Sequence, residues 1–289
     1  MPGLLCGRCY VSVRPHNARR PWQLESGLPI DKLHTTSVTM RTLILLLVAA
    51  VQCASASAQS LRVLTTGAFR QVVVNFVPAF EAAHGVKVEV QNDTAGALLK
   101  RIAAGETFDV VFLTPAGLAD LARAGRVDAA SVRPVAKVAI GVAVKAGQPA
   151  PPLATVEDFK QAVLRAGKVA YIDPASGGSS GIYLDGLFKR LGLADAVQAK
   201  AVLVPGGYAA ERLVTGQADL AIHQVSEILP VSGVVLVGLL PEEIQNYTTY
   251  GYGIAADTRL QDLARKFVGA LSTPEAAQVI RAKGMQPVQ

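Results

Sequence analysis

Short apolar segments alternate with amphipathic helical patterns from Leu61 almost to the end of the chain. In the first pair, residues 61–66 predict a strand, and residues 69–85 predict a helix that ends at Gly85. Pro78 within that segment predicts a kink or an early break of the helix. Strict alternation of strands and helices is typical of parallel sheets covered by helices. The predicted fold class is therefore α/β.

Two lobes are predicted rather than one sheet, because about nine strands would make a large sheet for a chain of this length. Each lobe would contain a mostly parallel sheet flanked by helices. The apolar strand at 138–144 and the tyrosine-rich strand at 247–254 are the predicted crossings between the lobes. We therefore expect lobe 1 at residues 59–138 and 248–289, and lobe 2 at residues 139–247.

Residues 40–58 have the three parts of a secretory signal peptide. Arg41 supplies a positive start, an apolar run follows it, and small residues that end at Ala58 form a cleavage site. We interpret residues 1–39, which are rich in Arg and Pro, as a non-native or disordered extension. All three cysteines precede the cleavage site, so the mature chain would contain none. This pattern predicts export to the periplasm.

The formal net charge of +6 is concentrated in the N-terminal segment. Residues 1–58 contain six basic and two acidic side chains, which leaves a net charge of +2 for the rest. A charge this small argues against nucleic-acid binding. The sequence after residue 58 has no zinc-ligand spacing, P-loop, dinucleotide-binding motif or nucleophile elbow. Neither a metal nor a cofactor is therefore expected.

Three serines and three glycines, residues 176–181, directly precede a helical pattern that ends at Gly192. Ser179 or Ser180 is expected to cap this helix, and Gly181 is expected to let a ligand approach the backbone. The unpaired N–H groups and the positive dipole end of a first helical turn favour an anion. The alternative interpretation is an ordinary capped helix after a flexible loop.

Two more strand-to-helix turns have similar chemistry, one at Thr66, Gly67 and Ala68 and the other at Thr94. Ligands of open α/β sheets bind at the carboxyl ends of strands, so the three turns support one another if they meet in one cleft. The alternative is that each is only a tight turn between a strand and a helix.

A fourth predicted strand ends in a cluster of polar residues, His223, Gln224, Ser226 and Glu227. His223 is either a base or a packed histidine without a chemical role. Farther along the chain, Tyr250 and Tyr252 lie on one face of a predicted strand. These tyrosines either line a ligand cleft or cover a hinge.

Taken in order, these segments resemble the periplasmic molybdate-binding protein family of ABC importers. The resemblance rests on LRVLTTGAF, LLKRIAAGETFDVVFLTP, SGIYLDGLFKRLGL and GQADLAIHQVSEI, and it extends over about residues 61–289. It implies a two-lobed type II periplasmic-binding fold that clamps its ligand between the lobes. The family's ligand positions imply serines in the first two turns and a tyrosine at a later strand end. Here those positions hold Ala68, Thr94 and Gln224, which departs from a molybdate or tungstate site.

The segments SGIYLDGLFKRLG and HQVSEILPVSGVVLVGLLPEEIQ also resemble aconitate isomerases, periplasmic enzymes similar to the same family. That resemblance implies a tricarboxylate ligand and a proton shift. The candidate catalytic residues are Glu227, His223 and Tyr183. Lys137 is a candidate for holding a carboxylate.

We therefore expect a secreted solute-binding protein that clamps a small anion, either an oxyanion or a di- or tricarboxylate, for an ABC importer. A cofactor-independent isomerase of a tricarboxylate is the alternative. The expected partners are the anion and an inner-membrane permease, and we expect a monomer. The predicted ligand-binding residues are Thr66, Gly67, Ala68, Thr94, Lys137, Ser179, Ser180, Gly181, Tyr183, Gln224 and Ser226.

Overall fold

The computed structural model describes residues 60–288, which form ten strands and ten α-helices. The strands are β1 (Ser60–Thr66), β2 (Lys87–Asp93), β3 (Val110–Leu113), β4 (Arg133–Lys145), β5 (Val169–Ile172), β6 (Ala201–Val204), β7 (Leu220–Gln224), β8 (Val234–Leu239), β9 (Tyr247–Ile254) and β10 (Gln286–Pro287). The helices are α1 (Gly67–His84), α2 (Ala95–Ala103), α3 (Pro115–Arg123), α4 (Val156–Arg165), α5 (Ser179–Arg190), α6 (Ala194–Gln198), α7 (Glu211–Val214), α8 (Val225–Ile228), α9 (Gln261–Gly269) and α10 (Pro274–Ala282). The predicted extension, signal peptide and cleavage site lie outside the described residues.

The strands are ordered β2-β1-β3-β9-β4-β7-β5-β6, and β8 and β10 also pair with β4. In the first half of the sheet, β1 lies between β2 and β3 and is parallel to both. In the second half, β5 lies between β6 and β7 and is again parallel to both. Three parallel strands thus form the centre of each half, while β9 and β4 pair antiparallel between them.

Strand β4 belongs to both halves of the sheet. Its residues 133–139 pair with β9, and its residues 140–145 pair with β7 and β8. The interior of β4 is mostly buried because each part of the strand contributes to the core of its own half. The architecture is the predicted two-lobed α/β fold, but the expectation of two separate sheets is wrong, because β4 joins the strands of both lobes into one sheet. The exact lobe boundaries remain a prediction.

Aromatic pairs join helices to strands in each half. Phe69 of α1 stacks on Phe112 of β3 with ring centroids 5.0 Å apart. In the second half, Tyr171 of β5 meets the edge of Phe188 of α5 at 5.4 Å. Burial of such large rings is a major favourable term in folding, so these contacts fix α1 and α5 against the sheet.

One helix prediction differs from the structure. Helix α1 continues through Pro78 to His84 without the predicted break, and Gly85 ends it in the left-handed region at φ 62°. None of the helices within residues 60–288 is both long and apolar enough to cross a membrane.

Candidate functional site

A cleft lies where strands from the two halves of the sheet end. Thr66 is the last residue of β1, Asp93 of β2, Ile172 of β5 and Gln224 of β7, and all four line this cleft. The cleft is narrow and open to solvent, and the about 370 Å³ of space free of protein atoms at this place includes solvent outside the cleft. The carboxyl ends of parallel strands are the usual ligand position of open α/β sheets. The remaining residues that line the cleft are Gly67, Ala68, Asn92, Thr94, Ala95, Gly178, Ser179, Ser180, Gly207, His223, Glu227 and Tyr250.

Three helices begin at this cleft. Gly67 starts α1, Ala95 starts α2 and Ser179 starts α5, and all three residues line it. First-turn N–H groups have no partner inside a helix, and the helix dipole places partial positive charge beside them. In the described structure no side chain caps α1 or α5, whereas Thr94 caps α2 by accepting from the nitrogen of Ala97. The cleft is therefore rich in backbone donors.

Charged side chains contribute little positive charge to the cleft. Among the described residues that line it, none is Lys or Arg, and two are acidic, Asp93 and Glu227. Asp93 already has partners, because its Oδ1 accepts from the nitrogen of Thr94 at 2.8 Å and its Oδ2 lies 3.4 Å from Arg101. An anion in this cleft would have to be held mainly by backbone and neutral side-chain donors.

His223 and Glu227 form a buried pair in the cleft wall. Nε2 of His223 lies 3.2 Å from Oε2 of Glu227, and the two side chains are 1% and 9% exposed. Nδ1 of the imidazole is buried and has no hydrogen-bond partner within residues 60–288. An imidazole beside a carboxylate is a group that can hold a proton and pass it on.

Tyr250 links the two halves of the cleft by hydrogen bonds. Its hydroxyl lies 3.0 Å from Oγ of Ser179 and donates to Oε1 of Gln224 at 3.0 Å. Burial, and next the negative charge of Glu227, raise the pKa of Tyr250, so the phenol stays neutral. Because the bond with Tyr250 uses Oε1, Nε2 of Gln224 is buried and has no partner among the described residues. Oγ1 of Thr66 is also buried and has no partner among them. Buried polar atoms normally have partners, so these atoms indicate a place for a ligand or water.

The rims of the cleft touch at three points. The nitrogen of Gly96 donates to the carbonyl oxygen of Gly177 at 3.1 Å. Oγ1 of Thr94 donates to the carbonyl oxygen of Ser176 at 2.5 Å. Elsewhere on the rim, Nε2 of Gln71 donates to the hydroxyl of Tyr208 at 2.8 Å. These contacts hold the two halves close together around the cleft.

Several predicted residues come together in the cleft. They are Thr66, Gly67, Ala68, Thr94, Ser179, Ser180, Gln224, His223 and Glu227. The expected capping by Ser179 or Ser180 is wrong, because Gly178 occupies the N-cap position of α5. Ser179 is free instead to bond Tyr250, and the role of each residue toward a ligand remains a prediction.

Four predicted binding residues lie outside the lining of the cleft. Tyr183 donates to the carbonyl oxygen of Ile244, and Lys137 lies over the ring of Tyr247. Ser226 is buried, and the backbone of Gly181 packs against β5. Tyr183 is therefore not placed to act as a base in the cleft.

Asn92, Asp93 and Gly207 line the cleft although the sequence analysis did not select them. Asn92 and Asp93 end β2 immediately before the selected Thr94, and Gly207 follows the end of β6. The same strand-end rule that selected Thr66 would have identified them.

Comparison with known proteins shows the family to which the chain belongs. The profile of the bacterial extracellular solute-binding proteins matches residues 61–286. The chain belongs to this solute-binding family. It is also 32% identical over 250 residues to an aconitate isomerase of a Pseudomonas species, a match that covers 84% of this chain and 94% of the enzyme.

Solved structures of anion-binding proteins have the same fold. The periplasmic molybdate-binding protein of Azotobacter vinelandii matches with a TM-score of 0.66 at 20% identity, over 79% of this chain and all of that one. A sulfate-binding protein of Mycobacterium tuberculosis H37Rv matches with a TM-score of 0.64 at 20% identity, over 80% of this chain and 88% of that one. The predicted periplasmic-binding-protein fold is thereby confirmed.

Proposed function

We propose that this protein is a periplasmic receptor that clamps a small anion in the cleft and delivers it to an ABC importer. The observation that carries the proposal is the convergence of the first turns of α1, α2 and α5 on one cleft. Backbone N–H groups at helix starts bind anions without basic side chains. The unpartnered donor Nε2 of Gln224 adds to this set. Membership of a solute-binding family supports the receptor role.

Closure of the cleft would complete the receptor. The rim contacts of Gly96 with Gly177 and of Gln71 with Tyr208 join the halves directly. Hinge closure around a ligand is a known mode of binding in two-domain receptors, and the closed form would be presented to a membrane permease. The proposed mature protein is a monomer that begins after cleavage near Ala58 and resides in the periplasm.

Binding can be tested by thermal unfolding with a panel of oxyanions and di- and tricarboxylates. A ligand at 100 times its dissociation constant stabilises the folded state by about 2.7 kcal/mol. We expect at least one anion of the panel to raise the unfolding temperature. Delivery is tested in a deletion strain, which should lose uptake of that anion. A panel in which no anion stabilises the protein would contradict the proposed cleft.

A second candidate function is isomerisation of an aconitate-like acid, and the His223–Glu227 pair specifically favours it. A carboxylate in a buried, donor-rich cleft can take a methylene proton from an unsaturated acid. The electron pair of that C–H bond would form a new double bond to the neighbouring carbon, the original π pair would shift onto the far carbon, and the proton would be delivered to that carbon. Backbone donors would stabilise the negative charge that develops on the substrate. The 32% identical aconitate isomerase supports this candidate.

The two candidates are separated by following cis-aconitate with purified protein in D₂O by proton NMR. Turnover with deuterium incorporation supports the isomerase, and binding without turnover supports the receptor. Glu227→Gln should abolish turnover because the amide cannot accept the proton. Glu243→Gln removes the same charge from an exposed position and is the matched control.

A further inference from the structure

The carboxylate of Glu227 stands at the start of helix α1. A Cβ built on Gly67, the first residue of that helix, would lie only 2.5 Å from Oε1 of Glu227. An alanine at this position would displace the carboxylate oxygen, which is the flexible end of the Glu227 side chain. The other oxygen, Oε2, faces the imidazole of His223 at 3.2 Å. Glu227 therefore presents Oε1 to the same space in which an anion would meet the N–H groups of α1.

A negatively charged side chain at this position disfavours the binding of an anion in the cleft. The two negative charges repel each other strongly in a partly dehydrated cleft, where no Lys or Arg lines the described wall. Asp93 differs, because the nitrogen of Thr94 and the guanidinium of Arg101 already engage its oxygens. Glu227 is thus the acidic group of the cleft that is in a position to meet a ligand directly.

A carboxylate accepts hydrogen bonds and cannot donate them while it is ionised. Repulsion becomes attraction when the anion carries an O–H that donates to Oε1, because O–H···O⁻ bonds are short and strong. The charged oxygens of the same anion can meanwhile meet the first-turn N–H groups of α1 and α5, which no side chain caps, and Nε2 of Gln224. The cleft thus combines many donors with one charged acceptor.

We infer that Glu227 determines specificity: it selects an anion that carries an O–H donor and rejects oxyanions that have lost every proton. Suitable ligands are hydrogen phosphate, hydroxy acids and partly protonated polycarboxylates. The inference rests on the proposed anion cleft. It applies to binding and holds whether or not the bound molecule is afterwards converted.

Matched ligand pairs test the inference by titration calorimetry at about pH 8. Hydrogen phosphate and sulfate have the same shape and nearly the same charge there, but hydrogen phosphate alone has an O–H. Citrate and tricarballylate differ only by the hydroxyl of citrate. We expect at least one donor-bearing partner to bind ~10-fold or more tightly than its counterpart, which corresponds to about 1.4 kcal/mol.

Glu227→Gln should reduce this preference to less than about threefold, because the neutral amide can donate to a fully deprotonated oxyanion. Glu243→Gln, an exposed control with the same charge change, should keep the wild-type preference. If Glu227→Gln does not fold, Gly67→Ala serves instead, because its methyl group would displace Oε1. Gly67→Ala should likewise lose the preference.

The outcomes distinguish the inference from the proposed function. If sulfate and tricarballylate both bind as tightly as their donor-bearing partners, the role of Glu227 is overturned and the anion cleft stays intact. An unchanged preference in folded Glu227→Gln does the same. If none of the four probes binds and the wider anion panel also gives no stabilisation, the anion cleft fails and the role of Glu227 fails with it.

Discussion

The backbones of Gly96 and Gly177 touch across the cleft, with the nitrogen of Gly96 donating to the carbonyl oxygen of Gly177 at 3.1 Å. Only glycine fits on either side of this contact. A Cβ on Gly96 would lie 2.8 Å from Cα of Gly177, and Gly177 itself has a positive φ of 76°. This backbone contact between the two rims is therefore built into the sequence as a pair of glycines.

Gly96→Ala should hold the rims apart and weaken anion binding by about tenfold, the equivalent of about 1.4 kcal/mol. Calorimetry with the anion identified by thermal shift measures the affinity, and small-angle scattering should show a larger radius of gyration. Gly117→Ala is the control, because this first-turn glycine of α3 has only ordinary contacts at 3.5 Å and beyond. Equal affinity in wild type and Gly96→Ala would show that closure does not depend on this contact.

Thr66→Val should affect folding and binding in opposite directions. Oγ1 of Thr66 is buried without a partner in the described part of the chain, so its loss should leave the free protein equally stable or stabilise it by up to ~1 kcal/mol. Anion affinity should fall if this hydroxyl contacts the ligand. Unfolding in urea with and without the anion measures both effects.

Thr65→Val is the matched control for that variant. Oγ1 of Thr65 is also buried but donates to the carbonyl oxygen of Thr66 at 3.1 Å. Removing it should destabilise the free protein by about 1 kcal/mol. Equal losses of stability in the two valine variants would mean that Thr66 has a partner, such as water, even without the anion.

Local sequence patterns were sufficient for the parts of the fold that depend on nearby residues. Strand β1 and helix α1 lie where the apolar periodicity placed them. The expected break at Pro78 fails because both Pro78 and Val74 face solvent, where water can bond the carbonyl left free four residues earlier. Strand β8 has no clean alternation of buried and exposed residues, so its pattern could not identify it.

Some residues of the candidate site were predictable from local sequence patterns, and others were not. Thr66 and Thr94 were predictable because each lies at a junction where a strand ends and a helix begins. The bond between Ser179 and Tyr250 joins residues 71 positions apart, and no local pattern encodes it. Tyr183 was selected from its position in the helix after the serines, which says nothing of the direction of its side chain. In the structure it turns to the carbonyl oxygen of Ile244.

Gly181→Ala should destabilise the protein by about 1–3 kcal/mol. A Cβ at this position would lie 2.2 Å from the carbonyl oxygen of Ile172, so α5 and β5 would have to separate. Gly186→Ala in the same helix meets only the end of Arg190 at 3.6 Å and should stabilise by about 0.5–1 kcal/mol. Opposite signs in chemical unfolding are expected, and equal effects would contradict the tight packing of α5 on β5.

Tyr250→Phe should change how stability depends on alkaline pH. Burial and the charge of Glu227 raise the pKa of Tyr250 above that of a free tyrosine, whereas the unfolded chain ionises near pH ~10. Above that pH the unfolded state releases the phenol proton while the folded state keeps it. The free energy of unfolding should therefore fall by about 1.4 kcal/mol for each further pH unit until the folded pKa is reached.

The phenylalanine variant removes this contribution, so its stability should decline less steeply between about pH 10 and pH 11 than that of wild type. Some slope will remain, because burial also raises the pKa values of Tyr171 and Tyr252. Near pH 8 the variant should be less stable by about 1–3 kcal/mol, since Oε1 of Gln224 loses its buried donor. Tyr247→Phe, at a tyrosine that is 39% exposed, is the control and should keep the wild-type slope. Identical slopes for wild type and Tyr250→Phe would mean that the phenol ionises in the folded protein, which would contradict its neutral role between Ser179 and Gln224.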